Sequence, residues 1–168
     1  FGYKKGAFTG ANEAHKGKLL AADQGTLFLD EIGAMSLKMQ TKLLKAIEER
    51  SFYPLGSNRA ETSRFRVISA TLEDVQSLIK AGKMRFDFFQ RIHGLTVELK
   101  ALSRRMGDVL PLIAALSRGG KRLALTPEAK QRLLGHDWPG NVREVKRFVE
   151  LLAAGEDGRV GPEAVDRL

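Results

Sequence analysis

The sequence has 168 residues, 43% hydrophobic and 29% charged, with no cysteine, the balance expected of a soluble globular chain with one main core. The lack of cysteine excludes disulfide frameworks, thiolate nucleophiles and cysteine-ligated zinc, and the three histidines (His15, His93 and His136), without metal-pair spacing, read as structural or surface residues. Twenty-eight Lys and Arg against twenty Asp and Glu leave a formal charge of +8, which favours polyanionic partners: nucleic acid, nucleotide phosphates or an acidic protein.

No apolar run approaches the roughly 18 residues a membrane span needs, and no basic segment leads into an apolar signal region, so a cytoplasmic protein without a membrane partner is expected. The opening Phe1-Gly2-Tyr3-Lys4-Lys5-Gly6 has neither a helix cap nor a periodic pattern, and is expected to lie inside a domain. In Gly6-Ala7-Phe8-Thr9-Gly10-Ala11, two glycines bracket an aromatic and a hydroxyl. Such a run suits a mobile loop presenting Phe8 to a partner, or an ordinary turn with Phe8 folded back into the core.

Gly25 to Leu29 has the length and composition of a buried strand and stops at Asp30-Glu31. Ser36 to Arg50 reads as an amphipathic helix with Ser36 as N-cap and Leu37, Leu43, Leu44 and Ile47 on its apolar side. Gly56 to Ser63 is polar and aperiodic, a loop, after which Phe65 to Ala70 is a second buried strand. Strand, helix, strand is a βαβ unit. Alternating Leu95, Val97 and Leu99 predict a third strand closing the first half near Lys100. Beyond it only helices are expected: Asp108 to Leu116, ending in Ser117-Arg118-Gly119-Gly120; a helix capped by Thr126, with Pro127 at its first position and Gly135 just past its end; and one opening at Asn141, with Glu144 completing a capping-box-like pair and a stripe of Val142, Val145, Phe148, Val149 and Leu152. Met35, Met39, Trp138 and Phe148 read as packing residues.

Ligands of open parallel sheets bind outside the carboxyl ends of the strands. There Asp30 suits a Mg²⁺ ion held through water and Glu31 suits polarising a water beside a phosphate, although a strand that simply ends at the surface also leaves acidic residues exposed. Arg85 and Arg91, six residues apart, suit stabilising phosphoryl-transfer charge from a neighbouring subunit, or belong to a solvated face. Arg143, off the apolar stripe of its helix, reads by itself as a surface residue. Arg104-Arg105 and Lys121-Arg122 are basic pairs open to nucleic acid but lack interleaved aromatics.

Taken in order, these segments resemble the sigma-54-dependent transcription activators, the bacterial enhancer-binding proteins of the AAA+ ATPase class. Gly6, Ala7, Phe8, Thr9, Gly10 and Ala11 spell that family's sigma-54-binding loop. Gly25 to Gly33 resembles its Walker B segment, Arg66 to Thr71 its sensor I strand, Arg85 and Arg91 its arginine fingers, and Trp138-Pro139-Gly140-Asn141-Val142-Arg143-Glu144 its sensor II motif. The resemblance spans essentially the whole chain. It implies an α/β fold, a P-loop NTPase-type parallel sheet flanked by helices over residues 1–99, and a helical lid over 100–168.

It further implies ATP and Mg²⁺ as cofactors, Asp30 holding Mg-ATP, Glu31 activating water, and Thr71 and Arg143 contacting or sensing nucleotide. Arg85 and Arg91 would reach the ATP of the adjacent protomer in a hexameric or heptameric ring. Phe8 and Thr9 would head the loop that engages sigma-54 in the RNA polymerase holoenzyme, supported by a second loop at Leu55 to Arg64, near promoter DNA but without base-specific reading. The activity implied is ATP hydrolysis coupled to remodelling of the closed promoter complex.

Three departures stand beside these matches. The 168 residues contain no Gly-x-x-x-x-Gly-Lys-[Ser/Thr] phosphate loop, so this stretch alone is expected to be inactive and to bind ATP poorly. Leu72 replaces a family asparagine that senses the γ-phosphate, and leucine neither donates nor accepts a hydrogen bond. Lys100-Ala101 replaces a proline pair. Leu72 motivates the alternative of a degenerate, non-hydrolysing module that binds sigma-54 as a regulator.

Overall fold

The two apolar runs that end at Leu29 and Ala70 become neighbouring parallel strands. The computed structural model describes residues 1–117, 123–153 and 159–167, and the chain divides into two units, Phe1–Thr96 and Val97–Leu168. The first contains β1 (Gly2–Tyr3), β2 (His15–Lys16), α1 (Lys18–Ala21), β3 (Thr26–Leu29), α2 (Leu37–Glu49), β4 (Ser51–Phe52), β5 (Glu61–Thr62), β6 (Arg66–Ser69), α3 (Val75–Lys80) and α4 (Phe86–Ile92). The second contains α5 (Val109–Leu116), β7 (Ala124–Leu125), α6 (Pro127–Gly135), α7 (Asn141–Ala153), β8 (Arg159–Val160) and α8 (Pro162–Val165).

In the first unit β3 pairs in parallel with β6, Leu27 opposite Val67 and Leu29 opposite Ser69. Helix α2 starts where Ser36 Oγ accepts the Met39 N–H, and its Leu43 and Ala46 pack with Leu19, Leu27, Phe52 and Phe88. Ile32, Leu78 and Met84 form a smaller cluster that shares Leu29, Met35 and Ile92 with the first. Among the described residues only one face of the strand pair is covered. Phe28 and Ile68, opposite one another in the register, are 58% and 46% exposed, which corrects the expectation of two buried strands at these positions.

Other expectations need correction. Leu95, Val97 and Leu99 form no strand: they are exposed and have no ladder partner among the described residues, and alternation without a paired backbone does not make a strand. Within the loop expected at 56–63, Glu61–Thr62 pairs antiparallel with Ser51–Phe52. Leu37 and Met39 are exposed rather than packed.

The second unit is helical around Leu102, Val109, Ile113, Leu133, Trp138, Val145, Phe148 and Val149. Trp138 is buried, donates from Nε1 to Leu133 O at 2.9 Å and meets Phe148 edge-on. Thr126 caps α6 as expected, its Oγ1 accepting the Ala129 N–H. Gly135 is the last helical residue rather than the one after it. Asn141 does not cap α7 with its side chain: Oδ1 accepts the Leu102 N–H at 2.7 Å, while Glu144 accepts the Gly140 N–H at 2.8 Å. The two-residue parallel pair β7–β8 adds strand where only helix was expected, and residues 118–120 of the expected helix end lie outside the described residues.

Candidate functional site

At the carboxyl end of β3 the chain leaves the sheet through Asp30 and Glu31. Ala70 N donates to Leu29 O at 2.9 Å and Ile32 N to Ala70 O at 3.1 Å, so hydrogen bonding to the β6 strand continues past the two carboxylates. Asp30 and Glu31 therefore stand beside Ala70 and Thr71 at one sheet edge. Glu31 takes a left-handed backbone, φ 51°, and opens the single turn Ile32–Ala34. Asp30 Oδ1 accepts the Glu31 N–H at 3.1 Å. A non-glycine residue held in that region costs of order 1–3 kcal/mol, and such strain concentrates at functional sites.

Both carboxylates are exposed and make no ion pair among the described residues. Thr71 Oγ1 accepts the Glu73 N–H at 3.2 Å, and the adjacent Leu72 is 94% exposed. Two solvent-facing carboxylates at the carboxyl edge of parallel strands have the oxygen chemistry that suits Mg²⁺ and a phosphate-bearing ligand. The structure thus brings together Asp30, Glu31 and Thr71, with Leu72 at the same edge.

Arg85 and Arg91 stand at the two ends of α4. Arg85 is the N-cap residue; its Nε and Nη2 donate to the two Asp87 carboxylate oxygens at 2.9 and 2.5 Å. That pairing holds the Asp87 carboxyl below the usual carboxylate range and raises the Arg85 pKa. Arg91 is exposed and lines an open cleft of about 530 Å³ together with Arg50, Arg64 and Arg66. Neither arginine hydrogen-bonds Asp30 or Glu31. Arg143, in the second unit, lies exposed on α7, off the buried stripe of Val145, Phe148 and Val149.

One site neighbour escapes the sequence pattern. Gln40 is fully buried on α2, and its amide reaches the backbone at Met35, Lys83 and Arg85. Its spacing to Leu43, Leu44 and Ile47 puts a polar residue on an apolar stripe, which is the signal that would have found it.

The Gly6 to Ala11 segment is a closed loop. Gly6 N donates to Ala11 O at 2.8 Å and Ala11 N to Phe8 O at 3.0 Å, and Gly6 and Gly10 carry φ of 80° and 95°. Phe8 is 49% exposed with its ring edge-on to Tyr3, centroids 5.0 Å apart; Ala11 is buried. The stem is tied to the turn between β4 and β5: Lys4 N donates to Leu55 O and Leu55 N to Gly2 O, both at 3.0 Å, and Lys4 Nζ pairs with Glu61 at 3.2 Å.

A parallel strand pair flanked by helices, with carboxylates at its carboxyl edge and a separate helical unit after it, is the architecture of an AAA+ ATPase domain with its lid. Residues 1–98 match the Sigma-54 interaction domain and residues 103–164 the AAA+ ATPase lid domain, and the chain belongs to the sigma-54 interaction domain family. It is 42% identical over 166 residues to the transcriptional regulatory protein ZraR of Escherichia coli K12, covering 93% of this chain and 37% of ZraR. With the Nif-specific regulatory protein of Azotobacter vinelandii it shares 38% identity over 172 residues, covering 98% of this chain and 33% of that protein. The crystal structure of NtrX from Brucella abortus superposes with a TM-score of 0.81 at 28% identity, covering 98% of this chain and 38% of NtrX. NtrX in complex with ATP gives a TM-score of 0.77 at 28% identity, over 90% of this chain and 38% of that one. The chain thus spans between 33% and 38% of the length of these relatives. No helix among the described residues is long and apolar enough to cross a membrane.

Proposed function

We propose that this chain supplies the hydrolytic edge, the sigma-54-binding loop and the lid of an ATP-dependent, ring-forming activator of sigma-54 RNA polymerase in the bacterial cytoplasm. The observation that carries this reading is the convergence of Asp30, strained Glu31 and Thr71 at one sheet edge of a chain that also presents Phe8 on a closed loop. Asp30 would hold Mg²⁺, Glu31 would take the proton of the attacking water, and Thr71 would orient the nucleotide. Bound Mg-ATP supplies the transferable γ-phosphoryl group and the metal charge that offsets its negative charge. Arg85, paired with Asp87 but not with Asp30 or Glu31, and Arg91 serve a neighbouring protomer's nucleotide. Arg143 senses nucleotide from the lid.

The 168 residues contain no phosphate-cradling loop, and expected ATP binding by this stretch alone is weak. The test therefore uses the complete gene product on a sigma-54 promoter, with strand opening followed by permanganate reactivity. Opening that requires hydrolysable ATP and is lost in Glu31→Gln and in Phe8→Ala supports the proposal. Opening that is indifferent to nucleotide, or retained in Glu31→Gln, contradicts it. A second reading, a non-hydrolysing sigma-54-binding regulator, is favoured by Leu72, whose exposed side chain has no hydrogen-bonding atom to offer a γ-phosphate. Capture of sigma-54 without ATP turnover would select it.

A further inference from the structure

The side-chain amide of Gln40 uses both of its N–H donors and its carbonyl on backbone groups. Nε2 donates to Met35 O at 2.8 Å and to Lys83 O at 2.9 Å, and Oε1 accepts the Arg85 N–H at 2.9 Å. The residue is fully buried, and a buried amide is costly unless its hydrogen bonds are made. An apolar residue of the same size would fill this place on α2 without that demand. The three bonds go to two separate segments.

Met35 closes the Ile32–Ala34 turn that follows Asp30 and Glu31 directly. Lys83 and Arg85 flank Met84, which is buried in the cluster with Ile32 and Leu78, so Gln40 grips the 83–85 backbone as the peptide group of an adjacent strand would. Arg85 is the N-cap residue of α4, so its N–H has no partner within the helix, and Gln40 alone satisfies it.

We propose that Gln40 is a positioning residue: through one buried amide it fixes the backbone that launches Arg85 and ties it to the turn behind the Asp30-Glu31 carboxylates of the same protomer. This rests on the reading of Arg85 as an arginine acting on the neighbouring nucleotide. A shift of the turn behind one protomer's hydrolytic edge is thereby carried to the arginine it lends to the next. Misplacing a catalytic group by about 1 Å costs on the order of a hundredfold in rate.

The test is a double-mutant cycle on the complete gene product, followed by single-turnover ATP hydrolysis so that slow variants remain measurable. Gln40→Met, nearly isosteric but without hydrogen bonds, is expected to lower the hydrolysis rate about a hundredfold with the KM for ATP little changed. The double variant Gln40→Met/Arg85→Ala is expected to be no slower than Arg85→Ala alone, within about threefold, because residues acting as one unit are not additive. Gln40→Glu, which keeps an acceptor for the Arg85 N–H but turns a carboxylate oxygen toward the Met35 and Lys83 carbonyls, is expected to lose at least as much as Gln40→Met. Gln40→Leu serves as the test variant if Gln40→Met fails to fold. Losses that multiply in the double variant, or a Gln40→Glu loss smaller than that of Gln40→Met, would overturn the assignment while leaving the arginine reading intact. An Arg85→Ala variant with undiminished hydrolysis would overturn both.

Discussion

A Cβ placed on Gly56, in the turn between β4 and β5, would lie 2.8 Å from the Cβ of Ala7 in the Gly6 to Ala11 loop. Gly56 also has φ 73°, a conformation that costs an ordinary residue about 1–2 kcal/mol. Gly56→Val is therefore expected to displace the loop and to lower sigma-54 capture about tenfold or more, with ATP hydrolysis retained. Gly82→Ala is the control, since Gly82 has φ 66° but open space around its Cβ position. It should lose stability through its φ alone and leave capture intact. Equal capture by Gly56→Val and the wild type in a pull-down would show that the contact does not shape the loop.

Asn141 spends its carbonyl on the Leu102 N–H at 2.7 Å and has φ 54°. Asn141→Ala leaves a part-buried donor unpaired and puts alanine in the left-handed region, an expected loss of about 2–4 kcal/mol in the helical unit. The single tryptophan, Trp138, is buried in that unit, so its fluorescence follows the transition directly. An unchanged denaturant midpoint would remove Asn141 from the elements that hold the unit together.

The Asp87 carboxyl lies below its ordinary value, first because Arg85 hydrogen-bonds it, and also because it accepts the Phe88 N–H. A carboxylate whose folded pKa is depressed contributes stability above its unfolded value, and the contribution is lost as pH falls through the lower folded value. Acidification should therefore release Arg85 only below the ordinary carboxylate range. Side-chain carbonyl NMR should find Asp87 titrating below 3.8 in the wild type and moving up in Arg85→Ala. A titration at or above 3.8 in the wild type would show that the pair is not formed in solution.

Elements whose signal is local were legible in the sequence. Ser36 and Thr126 cap helices because a hydroxyl before an apolar periodic run meets a free N–H wherever that run folds. The apolar runs ending at Leu29 and Ala70 show where a parallel pair places its carboxyl edge, and hence Asp30, Glu31 and Thr71. What was not legible depends on partners distant in sequence. Leu95 to Leu99 alternates like a strand, but alternation does not supply a ladder neighbour. Glu61–Thr62 and Ala124–Leu125 are two residues each, too short for any period to show. Asn141 looks like a cap, yet its carbonyl goes to Leu102, 39 residues away. Gln40 is hidden for the same reason, since its value lies in backbone groups at Lys83 and Arg85.

Ring-dependent hydrolysis is tested most directly by steady-state ATP turnover of the complete gene product across a protein-concentration series, with Arg85→Ala, Arg91→Ala and Leu72→Asn beside the wild type. The expected result is turnover per subunit that rises cooperatively with concentration and falls about 10³-fold or more in each arginine variant. Absence of turnover in the wild type at every concentration, with recovery in Leu72→Asn, would contradict the motor and leave a sigma-54-binding regulator.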